Sequence, residues 1–261
     1  MIHQRHLRKI FYLSAFIVFS HISTAQENDT IADKIVPAAV NTNPADIFDS
    51  VNAAKYKKVD KFVLAMKRRN KKAPILAKEI TAPFTSEEEK VRAIFIWITN
   101  NIAYDCSAYH DKHPPKGDFN FKTEAELVTK LDKYYTNVCA LTLRNRRAVC
   151  EGYSVLFWEM CKAAGISCEL VDGRASENRG LIKKLRNRKS FSTNHMWNKV
   201  KINGVWYYVD VNWASGYCNK AVTKFYKKFN SAYFITPLDN LYPTHAENSK
   251  LTQRRNHPTT E

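Results

Sequence analysis

Cys150-Glu151-Gly152-Tyr153-Ser154-Val155-Leu156-Phe157-Trp158-Glu159-Met160-Cys161-Lys162-Ala163-Ala164, followed by Gly165, is apolar on nearly every side when wound as a helix. A helix without a polar face belongs in the middle of a domain. Gly165 stands where a residue just past the C-cap takes the left-handed conformation. Next come Ile166-Ser167-Cys168-Glu169-Leu170-Val171, short and branched enough to form a strand. The chain has 261 residues, 44% hydrophobic and 12% aromatic, which is enough to cover such a helix in one sizeable domain.

Downstream, Arg174 to Ser192 reads as a polar, basic loop with no apolar rhythm, expected to border a cleft as a lid or to favour acidic substrates. Two strands then flank Asn203-Gly204, a strong hairpin signal. With those two residues as the turn, Ile202 faces Val205, Trp197 faces Asp210 and His195 faces Asn212. Side chains alternate along a strand, so His195, Trp197 and Asp210 share one face. Diagonal neighbours lie roughly 7–8 Å apart at the backbone, within reach through their side chains. Met196, Val200, Ile202, Val205, Tyr207, Val209 and Val211 make up the other, core-facing side.

Upstream, Thr85-Ser86-Glu87-Glu88 offers a capping box before a helical pattern with Val91, Ile94, Phe95, Ile98 and Ile102, ended by Asn100-Asn101. A proline-containing loop spans Cys106 to Phe121. A second box, Thr123 to Glu126, starts a helix expected to run to about Tyr135. Between Lys55 and Lys72 there are nine basic residues and one acid, Asp60, around Phe62-Val63-Leu64-Ala65-Met66. That stretch reads as a solvated helix docking a single apolar stripe. Helices first and strands later make the fold class α+β.

The chemistry lies in three of these residues. Cys150 opens the central helix, where unpaired N–H groups and the positive end of the dipole stabilise a thiolate. A neighbouring imidazole, His195, would complete a thiolate–imidazolium pair, and Asp210 would orient the ring. Each residue alone has a plainer reading: a small core residue, a strand histidine, a cap. Their combination points to an activated cysteine nucleophile.

Arg5, Arg8 and Lys9 precede an apolar run from Ile10 to Ile22, and Ser23-Thr24-Ala25 supplies small residues for cleavage after Ala25. This is the pattern of an export signal; roughly 13 apolar residues fall short of the ~20 that span a bilayer. Its removal takes away three of 41 basic residues and none of the 25 acids, leaving 38 against 25, or +13. Such a charge favours anionic surfaces or acidic protein segments. No stacking pattern or fold signature points to nucleic acid. The six cysteines are Cys106, Cys139, Cys150, Cys161, Cys168 and Cys218; if Cys150 stays free, at most two bridges form. No Cys/His spacing suits zinc, and no cofactor or metal is implied.

Five stretches together carry a family resemblance: Glu89 to Ile98 leading into Asn101-Ile102-Ala103-Tyr104-Asp105; Val149-Cys150-Glu151-Gly152-Tyr153; Asn194-His195-Met196-Trp197-Asn198; Tyr208-Val209-Asp210-Val211-Asn212-Trp213; and Ala232-Tyr233-Phe234-Ile235 through Pro243-Thr244-His245. The chain resembles the transglutaminase-like superfamily of papain-type cysteine enzymes, in particular bacterial relatives of the kyphoscoliosis-peptidase group. The resemblance covers about Tyr56 to Glu247. It implies a papain-like core with the cysteine helix packed on an antiparallel sheet bearing His195 and Asp210. It also implies that Cys150 is the nucleophile, His195 the general base then acid, and Asp210 the orienting carboxylate. Ala148 stands where the family usually has glycine and Asn212 where threonine is usual; Ala148 would perturb the backbone if that position needed positive φ. The Cys150 N–H is a natural oxyanion donor, with Asn101 and Tyr104 as candidates for a second.

The expected organisation is a signal peptide at 1–25, a flexible tether at 26–54, the transglutaminase-like domain at 55–250 and a disordered tail at 251–261. The expected activity is attack on an amide or peptide bond through a thioester, released by water in a peptidase or amidase, or by an amine in a crosslinking transglutaminase. A non-catalytic envelope-binding module on the same fold is the third alternative.

Overall fold

The computed structural model describes residues 44–66, 72–111, 120–188, 190–237 and 243–256. The expected export signal, the first part of the tether and the basic stretch at 67–71, with four of its five residues lysine or arginine, lie outside them. Among the described residues no helix is long and apolar enough to cross a membrane.

Helix α1 (Pro44–Ala65) begins inside the stretch expected to be tether. It buries Tyr56, Val59 and Val63, the single stripe its sequence suggested, and leaves Leu64 exposed. Asp60 on α1 makes a two-pronged ion pair, at 2.9 and 2.7 Å, with the buried Arg92 of α3 (Glu87–Asn101). The intervening α2 (Ala73–Thr81) starts with a proline in its first turn, where the missing N–H costs nothing. The cap of α3 sits one residue later than expected. Ser86 accepts from the Glu89 N–H at 3.2 Å and donates to the Glu89 carboxylate at 2.8 Å.

After β1 (Ala103–Tyr104), the expected loop opens instead with a short helix α4 (Cys106–His110), because the Asp105 carboxylate accepts from the Ala108 N–H at 3.0 Å. Helix α5 (Glu124–Asn145) starts at its expected Thr123 cap but runs ten residues beyond Tyr135. The apolar face continues through Cys139 and Leu143, and the helix ends only where Arg146 turns left-handed, at φ 55°. The chain then pairs β2 (Arg147–Ala148) in parallel with β1 and enters α6 (Cys150–Ala163).

Helix α6 is the buried centre its composition requires, with Tyr153, Val155, Leu156, Phe157, Met160 and Cys161 all in the core. Gly165, at φ 76°, closes it: the Ile166 N–H bonds to the Cys161 carbonyl and the Gly165 N–H to the Lys162 carbonyl. Against it lies a five-stranded antiparallel sheet, formed by β3 (Cys168–Ala175), β4 (His195–Ile202), β5 (Val205–Val209), β8 (Thr236–Pro237) and β9 (His245–Glu247) in the order β8-β5-β4-β3-β9. A small hairpin of β6 (Gly216–Cys218) and β7 (Phe225–Lys227) stands apart. Helix and sheet are bonded as well as packed. The Ser154 hydroxyl donates to the Met196 carbonyl at 2.9 Å, and the Asn198 amide donates to the Ser154 carbonyl at 3.1 Å. The α+β architecture expected from the sequence is the one observed.

The 203–204 turn has positive φ at both residues, 49° and 83°, as a two-residue primed turn needs. It sets the expected register, Ile202 to Val205 through Asn198 to Val209. Val205 is exposed rather than in the core, since it adjoins the turn at the tip of the hairpin.

Two segments differ from expectation. Residues 179–186 are not loop but helix α7 (Arg179–Arg186), capped by Asn178. Leu181, Ile182 and Leu185 supply a one-turn apolar stripe that packs on Ala246, a spacing too short to stand out among the charges. Nor is the chain from 251 to 256 a disordered tail. Helix α9 (Ser249–Asn256) is stitched to β3 by the Asp172 N–H to the Thr252 hydroxyl at 3.1 Å and by the Asn256 amide to the Leu170 carbonyl at 2.7 Å. Buried Arg255 pairs with buried Asp172 through two bonds, one of 2.9 Å, and donates to the Tyr135 hydroxyl at 3.1 Å. Removing one partner of such a pair strands the other charge, so Arg255→Ala is expected to destabilise the protein by about 3–5 kcal/mol in urea unfolding. A change under about 1 kcal/mol would mean that α9 is only loosely held.

Candidate active site

Three chain segments deliver the site, each at the end of a regular element. The parallel pair β1–β2 fixes the backbone before α6: the Ala103 N–H bonds to the Arg146 carbonyl and the Asp105 N–H to the Ala148 carbonyl, both at 3.0 Å. Cys150 is thus the first residue of a long helix whose opening N–H groups lack helical partners. Ala148 has no positive φ, so alanine in place of the family's glycine brings no backbone strain. Its Cβ fits because residue 152 is glycine; a Cβ there would meet that of Ala148 at 2.5 Å.

His195 opens β4 and is buried, opposite Gly173 of β3 rather than Asn212. The ladder between β4 and β5 stops at Asn198–Val209, and Asp210 leaves it to cap α8 (Val211–Ser215), accepting from the Trp213 N–H at 2.9 Å. The expected strand through Trp213 is therefore cut short, because an Asp side chain satisfies a helix N-terminus better than it continues a strand. The pairing of the two groups survives. His195 Nε2 donates to Asp210 Oδ2 at 2.6 Å. With Nε2 so engaged, Nδ1 is the ring nitrogen left for the Cys150 thiol, whose charge acts on the imidazole.

Burial of the ring opposes its charge, but the Asp210 carboxylate, its hydrogen bond and the Cys150 sulfur outweigh this and raise His195 to about 10. Burial likewise opposes ionisation of Asp210, and His195 and His245 overcome it, holding the carboxyl well below the usual carboxylate range. For a ring raised above 6.5, the stabilisation is complete below about 6.5 and is lost as pH climbs towards 10. For the depressed carboxyl, it is complete above its ordinary 3.8 and is lost on acidification.

A second imidazole completes the group. His245 Nε2 lies 3.1 Å from the same Asp210 oxygen, and Thr244 Oγ1 lies 2.9 Å from its Nδ1. Burial keeps His245 below the usual histidine range, hence neutral, so one tautomer fits: Thr244 donates to Nδ1, and Nε2–H donates to Asp210. Asp210 thereby accepts from His195, His245 and the Trp213 backbone. The sequence contained this signal in Pro243-Thr244-His245, but nothing in the spacing linked residue 245 to residue 210. Folding also brings the His195, Asp210 and His245 donor atoms within 4.8 Å of one another, a grouping able to hold a metal ion that no sequence spacing announced. Their mutual hydrogen bonds already account for all three.

Aromatic rings enclose the pair. Trp197 stacks near-parallel on His195, at 5.8 Å between centroids, and Trp213 lies at 5.8 Å from His195 and 4.7 Å from His245. Gly173 makes the first contact possible, since a Cβ there would sit 2.2 Å from the Trp197 ring and from the Ala246 carbonyl. Of the two oxyanion candidates, Asn101 turns its amide back on the Trp97 carbonyl at 2.9 Å. For Tyr104, burial and then the charge of Cys150 keep the phenol protonated far above the usual range, so its hydroxyl is retained as a donor.

The Transglutaminase-like superfamily model matches residues 74–211, just over half of the chain and inclusive of Cys150, His195 and Asp210. The chain belongs to the transglutaminase-like superfamily. It is 32% identical over 151 residues to kyphoscoliosis peptidase of Mus musculus, covering 58% of this chain and 19% of that protein. It is 27% identical over 161 residues to Hillarin of Drosophila melanogaster, covering 61% and 17%. The match thus spans about a fifth of the length of these curated relatives. A solved structure of a TGase aligns with a TM-score of 0.35 at 16% identity, over 76% of this chain and 39% of that one. His245 lies beyond the superfamily match.

Two outcomes follow for this transglutaminase-like site. Asp210→Asn removes the charge that holds the proton on His195. The ring titration, followed by NMR of the imidazole carbons, is expected to fall well below about 10, burial then being opposed only by the Cys150 sulfur. His245→Leu removes one donor from a buried carboxylate, so the folded-state pKa of Asp210 rises and stability is lost at higher pH on acidification. Melting temperature followed through the acid range reads that shift; superimposable curves would show that His245 does not hold Asp210.

Proposed function

We propose that this chain is a thiol enzyme acting on amide or peptide bonds through a Cys150–His195–Asp210 triad. The reading is carried by the 2.6 Å bond from His195 Nε2 to buried Asp210, which leaves the other ring nitrogen to a cysteine at a helix N-terminus. The Cys150 thiolate attacks the carbonyl carbon. The oxyanion meets the Cys150 N–H, with the Tyr104 hydroxyl as the second donor. His195 passes its proton to the departing amine as the thioester forms, then takes a proton from the water that resolves it. Asp210 keeps the ring oriented and its charged form stable, while His245 and the Trp213 N–H hold Asp210.

Hydrolysis is favoured over amine transfer because water needs no acceptor site. The peptidase relatives of mouse and human, each 32% identical, support the same choice. Export, with cleavage after about Ala25 and a periplasmic or secreted destination, remains part of the proposal, as does a protein or peptide substrate of acidic or envelope-associated character. The basic residues of α7 support the acidic preference: Ile182 and Leu185 anchor that helix while Lys183 and Lys184 face solvent.

Iodoacetamide at neutral pH tests the machinery. Cys150 is expected to be alkylated fastest of the six cysteines, and His195→Ala to slow it by about 10² or more. A Cys150 no more reactive than the others would favour the binding-module alternative. Envelope extracts incubated with the protein, with and without Cys150→Ala and with a biotinylated amine, then separate the chemistries. New peptide termini mark hydrolysis; amine incorporation without cleavage would replace it with crosslinking.

A further inference from the structure

Cys106 and Cys218 are 112 positions apart in sequence, yet their sulfurs lie 3.8 Å from each other. Both are partly exposed, whereas Cys139 and Cys161 are enclosed in the core. The elements that carry them are already docked. His110, at the end of α4, places Nε2 3.1 Å from the carbonyls of Ala221 and Val222 in the β6–β7 hairpin. A disulfide has its sulfurs about 2.05 Å apart, so the two sulfurs have a gap on the order of 2 Å to close.

We propose that Cys106 and Cys218 form a disulfide strap beside the active site. It would join the wall that carries Tyr104 to the arm that runs from Asp210 through α8 into β6. Tyr104 pairs with Ala148 in the β1–β2 ladder, two residues before Cys106 on one strand and two before Cys150 on the other, so the pair borders the reactive thiol. Once bridged, neither cysteine remains as a free thiol able to capture an oxidised Cys150.

The step is thiol–disulfide exchange with a small or protein disulfide as oxidant. One thiolate attacks the oxidant and releases its first thiol. The second cysteine, as thiolate, attacks the mixed disulfide and releases the other thiol. Two protein thiols become one disulfide while the oxidant disulfide becomes two thiols. An exporting cell supplies such an oxidant outside the cytosol. The strap itself does not depend on the triad reading.

The test uses the full chain, treated with oxidised glutathione, blocked with iodoacetamide and digested with trypsin without reduction. The expected product links peptide 93–112 to peptide 202–220, two hydrogens lighter than their sum. The melting temperature is expected to rise by roughly 5–15 °C, to fall back on reduction, and to show no rise in Cys106→Ser/Cys218→Ser. Cys106 found alkylated, left as a glutathione adduct, or linked to peptide 148–162 would overturn the strap, as would an unchanged melting temperature in the linked protein. None of these readouts uses enzymatic activity, so a failed strap and a failed triad are told apart.

Discussion

One buried carboxylate organises this molecule. Asp210 ends a strand, caps a helix and accepts from two imidazoles, all within a few ångströms. Left alone, a carboxyl so buried would take up a proton and lose its charge. Three N–H donors reverse that preference, and the resulting negative charge keeps a proton on His195 that neutral solution would remove. The ionised thiol proposed at Cys150 follows from that proton. The rest of the fold can be read as what is needed to assemble the donors and keep water from competing with them.

Such an assembly explains why elements remote from the chemistry are tightly held. Strand β9 must lie alongside β3 to bring His245 to Asp210, and helix α7 braces β9 through Ile182, Leu185 and an Arg186 bond to the His245 carbonyl at 3.0 Å. Helix α9 then clamps β3 from outside through Arg255 and Asp172. Gly173 has its place here too, since only a residue without Cβ admits both the Trp197 ring and the Ala246 carbonyl at that point of the sheet. The site residues stand at element ends: Cys150 at a helix start, His195 at a strand start, Asp210 as a cap. Backbone geometry there is set by repeating hydrogen bonds.

The sequence was most informative where a physical rule acts locally. The all-round apolar helix, its glycine stop and the Asn203-Gly204 hairpin are each settled within a few residues, and each is found as expected. Hairpin register then carried the reading from Ile202 as far as Val209, close enough to pair residues 195 and 210. It failed one residue later, because Asp210 had a better use for its side chain than the ladder. Helix α7 was missed because two buried residues in eight are too weak a rhythm among charges. Helix α9 was missed because its stabilisation comes from Asp172, some eighty positions earlier in the chain.

Taken by itself, the sequence determined the central helix, the hairpin and the identities of a thiol, an imidazole and a carboxylate able to meet, since periodicity and turn chemistry are properties of neighbours along the chain. Tertiary structure decided that His245 shares the carboxylate and that Cys106 meets Cys218. Those pairings join residues 35 to 112 positions apart. No local rule reaches so far; only the packing of strands and helices around a common core brings them together.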